Sequence, residues 1–150
     1  MRPWLAAAGI VVLSACGGPA DDAPVVHYGG EECGFCRMII SEPRFTAALV
    51  DDEGETTTFD DVGCLINYLH RNPDGGGRVL VHDYAGDGWL AARDAAFVRD
   101  PRGLTPMGSG ILAFSSAEAA AAQAAANGWE AEVLGWAPLV AESAPAHDPG

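Results

Sequence analysis

The pattern of apolar and polar positions predicts a β-hairpin followed by a helix in the first half of the chain. Residues 38–50 have an extended pattern, and a polar turn separates them from the Thr-rich segment 56–59. Apolar residues then recur at helical spacing over residues 62–69, and an alternating strand pattern covers residues 78–84. These segments predict the element order ββαβ.

The second half of the chain repeats this order of elements. Strand patterns occur at residues 89–98, 110–114 and 129–134, and the Ala-rich segment 117–126 has a high helix propensity. Only the element order indicates a repeat, because the two halves show no convincing residue-level similarity.

These elements predict an α+β fold of two tandem ββαβ units, each with a small mixed sheet and one helix. The units cover about residues 31–84 and 89–136 of one folded domain. Residues 137–150 are rich in Pro, Ala and Glu, a composition typical of a disordered tail.

The N-terminus has the pattern of a secretory signal peptide. A short basic start precedes an apolar stretch over residues 5–13 and small residues at its exit. Cys16 directly follows these small residues, as the lipidated Cys of a bacterial lipobox does, so we predict that residues 1–15 are a lipoprotein signal peptide. Residues 16–30 then form the lipidated Cys and a flexible tether, which would anchor the protein to the periplasmic face of a bacterial membrane.

Composition indicates a folded chain and argues against some classes of partner. Of the 150 residues 49% are hydrophobic and 19% are charged, which is typical of a globular protein. The formal net charge is -13 at pH 7, and this acidity argues against nucleic acid or an anionic membrane surface as a direct partner.

The candidate chemistry is concentrated in the motif Cys33-Gly-Phe-Cys36-Arg-Met38. A Cys-x-x-Cys pair is compatible with a zinc site, an iron–sulfur site, a redox pair or a disulfide. If the chain is extended after Cys36, Met38 lies on the same face as Cys36, and a thioether beside thiolates favours Cu(I). We therefore predict that Cys33, Cys36 and Met38 bind Cu(I).

Four further residues are weaker candidates for copper ligands. Met107 lies in a loop rich in Gly and Pro and offers a second thioether. His27 precedes the sulfur motif and is the next choice if an imidazole completes the site. His82 lies in a predicted strand and Cys64 lies beside the apolar stripe of the first helix, so a packing role is favoured for both.

Several of these motifs occur together in one known family. They are the lipobox with Cys16, the Cys33-x-x-Cys36-x-Met38 motif, the segment 59–64 (Phe-Asp-Asp-Val-Gly-Cys), the aromatic strand at Asp83-Tyr84 and Trp89, and the segment 105–108 (Thr-Pro-Met-Gly) followed by Ala113-Phe114. With these residues, roughly positions 32–139 resemble the NosL family of accessory lipoproteins of nitrous oxide reductase. One departure is Ala91-Ala92, where the family often carries an acidic residue.

The resemblance implies an extracytoplasmic Cu(I)-binding metallochaperone rather than an enzyme. It implies that copper passes to nitrous oxide reductase through an ABC-type maturation complex. It also implies a fold of two related ββαβ units, in agreement with the element order.

Two other functions stay open from the residues alone. A thiol-disulfide oxidoreductase would use Cys33 and Cys36, although in thioredoxin-like folds such a pair opens a helix and here it precedes an extended segment. A structural zinc site needs four closed ligands, and no second Cys-x-x-Cys or His pair occurs in the sequence.

Overall fold

A computed structural model describes residues 23–143 of the chain. The expected signal peptide and the expected lipidation of Cys16 lie outside the described residues, as do residues 144–150. No helix between residues 23 and 143 combines the length and the apolar character needed to cross a membrane.

The first unit forms a four-stranded antiparallel sheet that contacts one helix. Its strands are β1 (Ala47–Val50), β2 (Thr56–Phe59), β3 (Arg78–His82) and β4 (Trp89–Ala91), in the order β2-β1-β3-β4. Helix α1 (Val62–Arg71) connects β2 to β3 and packs on the hairpin of β1 and β2. The predicted ββαβ order of this unit is confirmed.

Helix α1 begins where it does because Asp61 caps it. The Asp61 side chain accepts the Cys64 N–H at 2.9 Å, which satisfies one of the free donors of the first helical turn. Val62, Leu65 and Ile66 are buried, so the predicted apolar stripe faces the core.

The second unit forms a smaller sheet. Strand β5 (Ala96–Arg99) pairs antiparallel with β6 (Ile111–Phe114), and helix α2 (Ala117–Ala126) follows. The predicted strand at residues 129–134 is wrong, because in this segment the pairing is reduced to one bridge between Leu134 and Phe97. The α+β fold of two related units is confirmed, with this bridge in place of the last strand. Both sheets are antiparallel rather than mixed.

The segment 89–98 is two strands rather than one. A 3-10 turn (Ala92–Asp94) separates β4 from β5. Because β4 pairs with β3 and β5 pairs with β6, this turn is where the chain leaves the first sheet for the second.

Two loops share main-chain hydrogen bonds that their sequences do not reveal. The Cys33 N–H donates to the Met38 carbonyl at 2.8 Å, and in the loop between β3 and β4 the Asp83 N–H donates to the Gly88 carbonyl at 2.8 Å. Asp83 therefore begins its loop as Cys33 begins the other.

The equivalence continues at the next residue of each loop. The Gly34 N–H donates to the Thr58 carbonyl at 2.8 Å, and the Tyr84 N–H donates to the Ala113 carbonyl at 2.8 Å. Each loop is thus tied to a strand that directly precedes a helix, β2 before α1 and β6 before α2. This places Cys33 beside the start of α1.

A third helix, α3 (Trp136–Glu142), corrects the prediction of a disordered tail from residue 137. Leu139 is 0% exposed, and Trp136 packs against the core. Composition was misleading because Pro138 lies in the first turn of the helix. At this position a main-chain N–H has no hydrogen-bond partner within the helix, so a proline, which has no N–H, is tolerated.

The substitution Leu139→Ala tests whether α3 is part of the folded domain. It should lower the free energy of unfolding by about 2–5 kcal/mol, because it leaves a cavity where α3 meets the core. Chemical denaturation followed by circular dichroism measures the change. The matched control Leu104→Ala truncates a side chain that is 60% exposed, and it should change the free energy by less than about 0.5 kcal/mol. Wild-type stability in Leu139→Ala would contradict the docking of α3.

Candidate metal centre

Cys33 and Cys36 lie in a short loop that is closed by main-chain pairing. Glu32 and Ile39 form an antiparallel bridge, and inside it the Cys33 N–H donates to the Met38 carbonyl. Both ends of the loop are therefore held together, so the separation of the two cysteines is set by the backbone.

The chain turns at Arg37, which corrects the expectation of an extended segment there. Arg37 has a φ of 66°, in the left-handed region, and its N–H donates to the Cys33 carbonyl at 3.1 Å. The argument that Cys36 and Met38 share one face of a strand is therefore wrong. Met38 instead leaves the loop with a side chain that is 59% exposed.

The loop approaches the sheet closely because Gly34 has no side chain. A Cβ atom at this position would lie 2.4 Å from the Cγ2 atom of Thr57 and would clash. The absence of this atom lets the Gly34 N–H reach the Thr58 carbonyl in β2. Cys33 consequently lies at the junction of β2 and α1.

Three cysteine sulfurs converge at this junction. The Sγ atoms of Cys33, Cys36 and Cys64 all lie within 4.8 Å of one another. Cys33 and Cys64 are buried, and Cys36 is partly exposed. Cys64 is thus both packed in the core, as the sequence favoured, and a member of the cluster, which the sequence did not favour. The available signal was the odd number of cysteines after Cys16.

Cys33 is the member of the cluster that carries a negative charge. A hydrogen bond from the Cys64 thiol lowers the pKa of Cys33 to about 5, against the opposing effect of burial. The main-chain N–H groups of Asp60, Cys36 and Phe35 add further hydrogen bonds that lower it. Above about pH 5 Cys33 is therefore a thiolate, the form that binds metals.

The other two cysteines keep their protons. Burial raises the pKa of Cys36, and its interactions with Cys33 raise it further. The pKa of Cys64 is raised first by its hydrogen bond to Cys33 and then by burial. One thiolate and two thiols leave a single negative charge to be stabilised, which costs less than burying three.

A buried carboxylate lies beside this charge. Asp60 is 4% exposed, and burial raises its pKa, as does the nearby negative charge of Cys33. Within residues 23–143 its Oδ1 atom has no hydrogen-bond partner. Asp60 thus acts on the cluster through its main-chain N–H, which donates to Cys33.

Met107 is placed at the same end of α1 as Cys64. Its N–H donates to Oδ2 of Asp61 at 3.2 Å, and its side chain is 45% exposed. The structure therefore brings the loop that carries the second thioether to the helix start next to the cluster.

The two histidines have other partners. The His27 side chain is exposed and lies 3.6 Å from a carboxylate oxygen of Glu31. The His82 ring packs on Trp89 with 5.5 Å between ring centres, and its Nδ1 lies 3.2 Å from the Asp83 carbonyl oxygen. Neither belongs to the group of converging ligand atoms that the structure describes.

Comparison with protein families matches residues 24–139 to NosL. The chain belongs to the NosL family. Among solved structures it is similar to the crystal structure of the copper chaperone NosL from Shewanella denitrificans, with a TM-score of 0.65 and 22% sequence identity. That alignment covers 79% of this chain and 96% of the other, and at this identity it shows the shared fold. No curated protein matches the chain.

The donor set of this NosL-family chain fits a soft metal ion. Among residues 23–143, no His, Asp or Glu joins the three cysteines at the same mutual distance. Structural zinc sites almost always have four protein ligands, whereas thiolates and thioethers select Cu(I). The cluster is therefore a site of three cysteine sulfurs.

The pKa of Cys33 provides a test of the hydrogen bond from Cys64. Cys64→Ala removes this donor, and a hydrogen bond to a charged group contributes about 1.5–3 kcal/mol, so the pKa of Cys33 should rise by about one to two pKa units. Ultraviolet thiolate absorbance of the reduced, metal-free protein measures it as the pH rises. In the unfolded chain the pKa of the Cys33 thiol has its ordinary value of about 9, and in the folded chain it is about 5. The thiolate therefore contributes fully to the free energy of unfolding above about pH 9, and this contribution is lost as the pH falls towards 5.

Two variants control that titration. Cys64→Ser keeps an O–H donor and should change the pKa of Cys33 less than Cys64→Ala does. Cys33→Ser should remove the low-pH transition entirely, which assigns it. An identical midpoint in wild type and Cys64→Ala would contradict the role given to Cys64.

Proposed function

We propose that this protein is an extracytoplasmic Cu(I) metallochaperone that supplies copper for the maturation of nitrous oxide reductase. The observation that carries the proposal is the convergence of Cys33, Cys36 and Cys64 within 4.8 Å, with one of the three partly exposed. Membership of the NosL family supports the same conclusion.

The unequal exposure of the three cysteines suggests how copper enters and leaves. Cys36 is reached first from solvent, and the exposed Met38 lies two residues further along the chain. Cu(I) captured there moves onto the Cys33 thiolate and displaces the protons of the other two thiols. On delivery, a partner's ligands replace these sulfurs one at a time, beginning with the exposed one. Acid opposes loading, because protons compete for the same sulfurs.

A carrier accounts for the site better than an oxidoreductase does. The low pKa of Cys33 is a property that oxidoreductase nucleophiles share. Such a nucleophile must also reach a substrate disulfide, and Cys33 is 0% exposed. The accessible thiol is Cys36, whose pKa is raised. The reactive thiol and the accessible thiol are therefore different residues, an arrangement that suits metal transfer.

The partner and the location are the finer parts of the proposal. The family's association with nitrous oxide reductase supports this enzyme as the client, reached through its ABC-type maturation complex. The pattern around Cys16 supports a lipid anchor on the periplasmic face of the membrane. A lipid anchor would keep the carrier at the membrane where a transport complex resides.

Competition for Cu(I) tests metal binding. Reduced wild-type protein should withdraw Cu(I) from a chromophoric chelator such as bathocuproine disulfonate. Cys33→Ser/Cys36→Ser should bind more than about 100-fold more weakly, beyond the range for loss of a merely supporting residue. Cys64→Ser should fall between the two, because one sulfur is lost. His82→Gln lies outside the cluster and should bind like wild type. Equal binding by wild type and the double variant would overturn the assignment of the site.

Copper transfer tests the client. Copper-loaded wild-type protein, added with the maturation complex, should restore activity to copper-free nitrous oxide reductase. The Cys33→Ser/Cys36→Ser variant mixed with the same amount of Cu(I) should not, in the presence of a chelator that removes free copper. Equal restoration by both proteins would show that delivery does not pass through this site.

A further inference from the structure

A single buried carboxylate links the thiol cluster to the Met107 loop. Asp61 is 0% exposed, and its Oδ1 accepts the Cys64 N–H at 2.9 Å. Its Oδ2 accepts the Thr105 hydroxyl at 2.9 Å, the Ser109 hydroxyl at 3.0 Å and the Met107 N–H at 3.2 Å. One side chain thus receives four donors from two distant parts of the sequence.

Helix capping accounts for only half of this arrangement. A cap needs one oxygen to accept an N–H of the first turn, and Oδ1 of Asp61 does this. The donors to Oδ2 come from residues 105–109, which lie in the other unit. Capping does not require them, so the second oxygen has a separate role in holding this loop.

The loop is built to fit closely against the helix start. A Cβ at Gly63 would lie 2.5 Å from the Cβ of Ser109, so the contact is possible only because Gly63 has no side chain. The Thr105 hydroxyl that donates to Asp61 also accepts the Gly110 N–H at 3.1 Å. The loop is therefore closed on itself as well as fixed to Asp61, although Met107 itself is substantially exposed.

We propose that Asp61 is a positioning residue that sets Met107 relative to Cys64, so that the Met107 thioether is ready to bind Cu(I) held by the thiol cluster. The main-chain nitrogens of Cys64 and Met107 both lie within 3.2 Å of the same carboxylate, which fixes their separation. The inference rests on the proposed function, since it assumes Cu(I) as the cargo.

Asp61→Asn separates the two roles of this side chain. Asn is as good a helix cap as Asp, so its oxygen still accepts the Cys64 N–H. Its amide group faces the three loop donors and accepts from none of them. We expect a loss of Cu(I) affinity of about 10- to 100-fold, as is usual for residues that orient metal ligands. X-ray absorption should also show one fewer sulfur bound to copper than in wild type.

A double-mutant cycle shows whether Asp61 acts through Met107. Met107→Leu should lose the same sulfur, and Asp61→Asn/Met107→Leu should bind Cu(I) no more weakly than Met107→Leu alone. The matched control is Asp51→Asn, since Asp51 accepts the Glu53 and Glu55 N–H groups in a turn of the first hairpin. This control should keep wild-type affinity and sulfur number.

Each other outcome counts against the inference. Unchanged affinity and sulfur number in Asp61→Asn, or losses that multiply in the double variant, would show that Asp61 does not act through Met107. If Asp61→Asn does not fold, Thr105→Val removes one of the three loop donors, and the same cycle with Met107→Leu applies. Wild-type protein that fails to bind Cu(I) would refute the proposed function as well. Cu(I) binding that is unchanged in Asp61→Asn would refute only this inference.

Discussion

The negative charge on the buried Cys33 sulfur is the constraint on which the rest of the site depends. A buried charge is costly unless hydrogen-bond donors replace the water it has lost. Here the donors are the Cys64 thiol, the Asp60 main chain and the N–H groups of the loop itself. The loop, the end of β2 and the start of α1 must therefore keep their relative positions for the thiolate to persist. The close approach at Gly34 and the cap at Asp61 are two means by which they do so.

The same interactions suit the exchange of Cu(I) proposed for this cluster. Loading would replace the two thiol protons with one Cu(I) ion, so the net charge of the cluster would become more negative by a single charge. Only one sulfur, that of Cys36, is open to a competing ligand. In the proposed carrier, a site arranged in this way would exchange its ion through the Cys36 sulfur, while the buried sulfurs would select for soft metals.

The sequence predicts what is local and misses what depends on contacts between distant segments. Helix α1 has its cap and its apolar stripe within twelve consecutive residues, 60–71, and it was predicted correctly. Cys33 and Cys36 were also found from their spacing. Cys64 joins the cluster because the loop that carries Cys33 and Cys36 is hydrogen-bonded to β2. No sequence pattern near Cys64 predicts that contact. Left-handed residues are usually glycines, and here the residue is Arg37. The sequence therefore contained no sign of the turn, and an extended chain was expected.

The loop between β3 and β4 shows which bonds of the Cys33 loop form without sulfur. Asp83 begins a loop that shares two of the main-chain hydrogen bonds, and the segment from Asp83 to Gly88 contains no cysteine. These two hydrogen bonds therefore form in this fold without metal ligands. Zinc fingers differ in this respect, since they unfold when the ion is removed. In the proposed carrier, hydrogen bonds that hold the binding loop without an ion would leave the emptied chain ready for reuse.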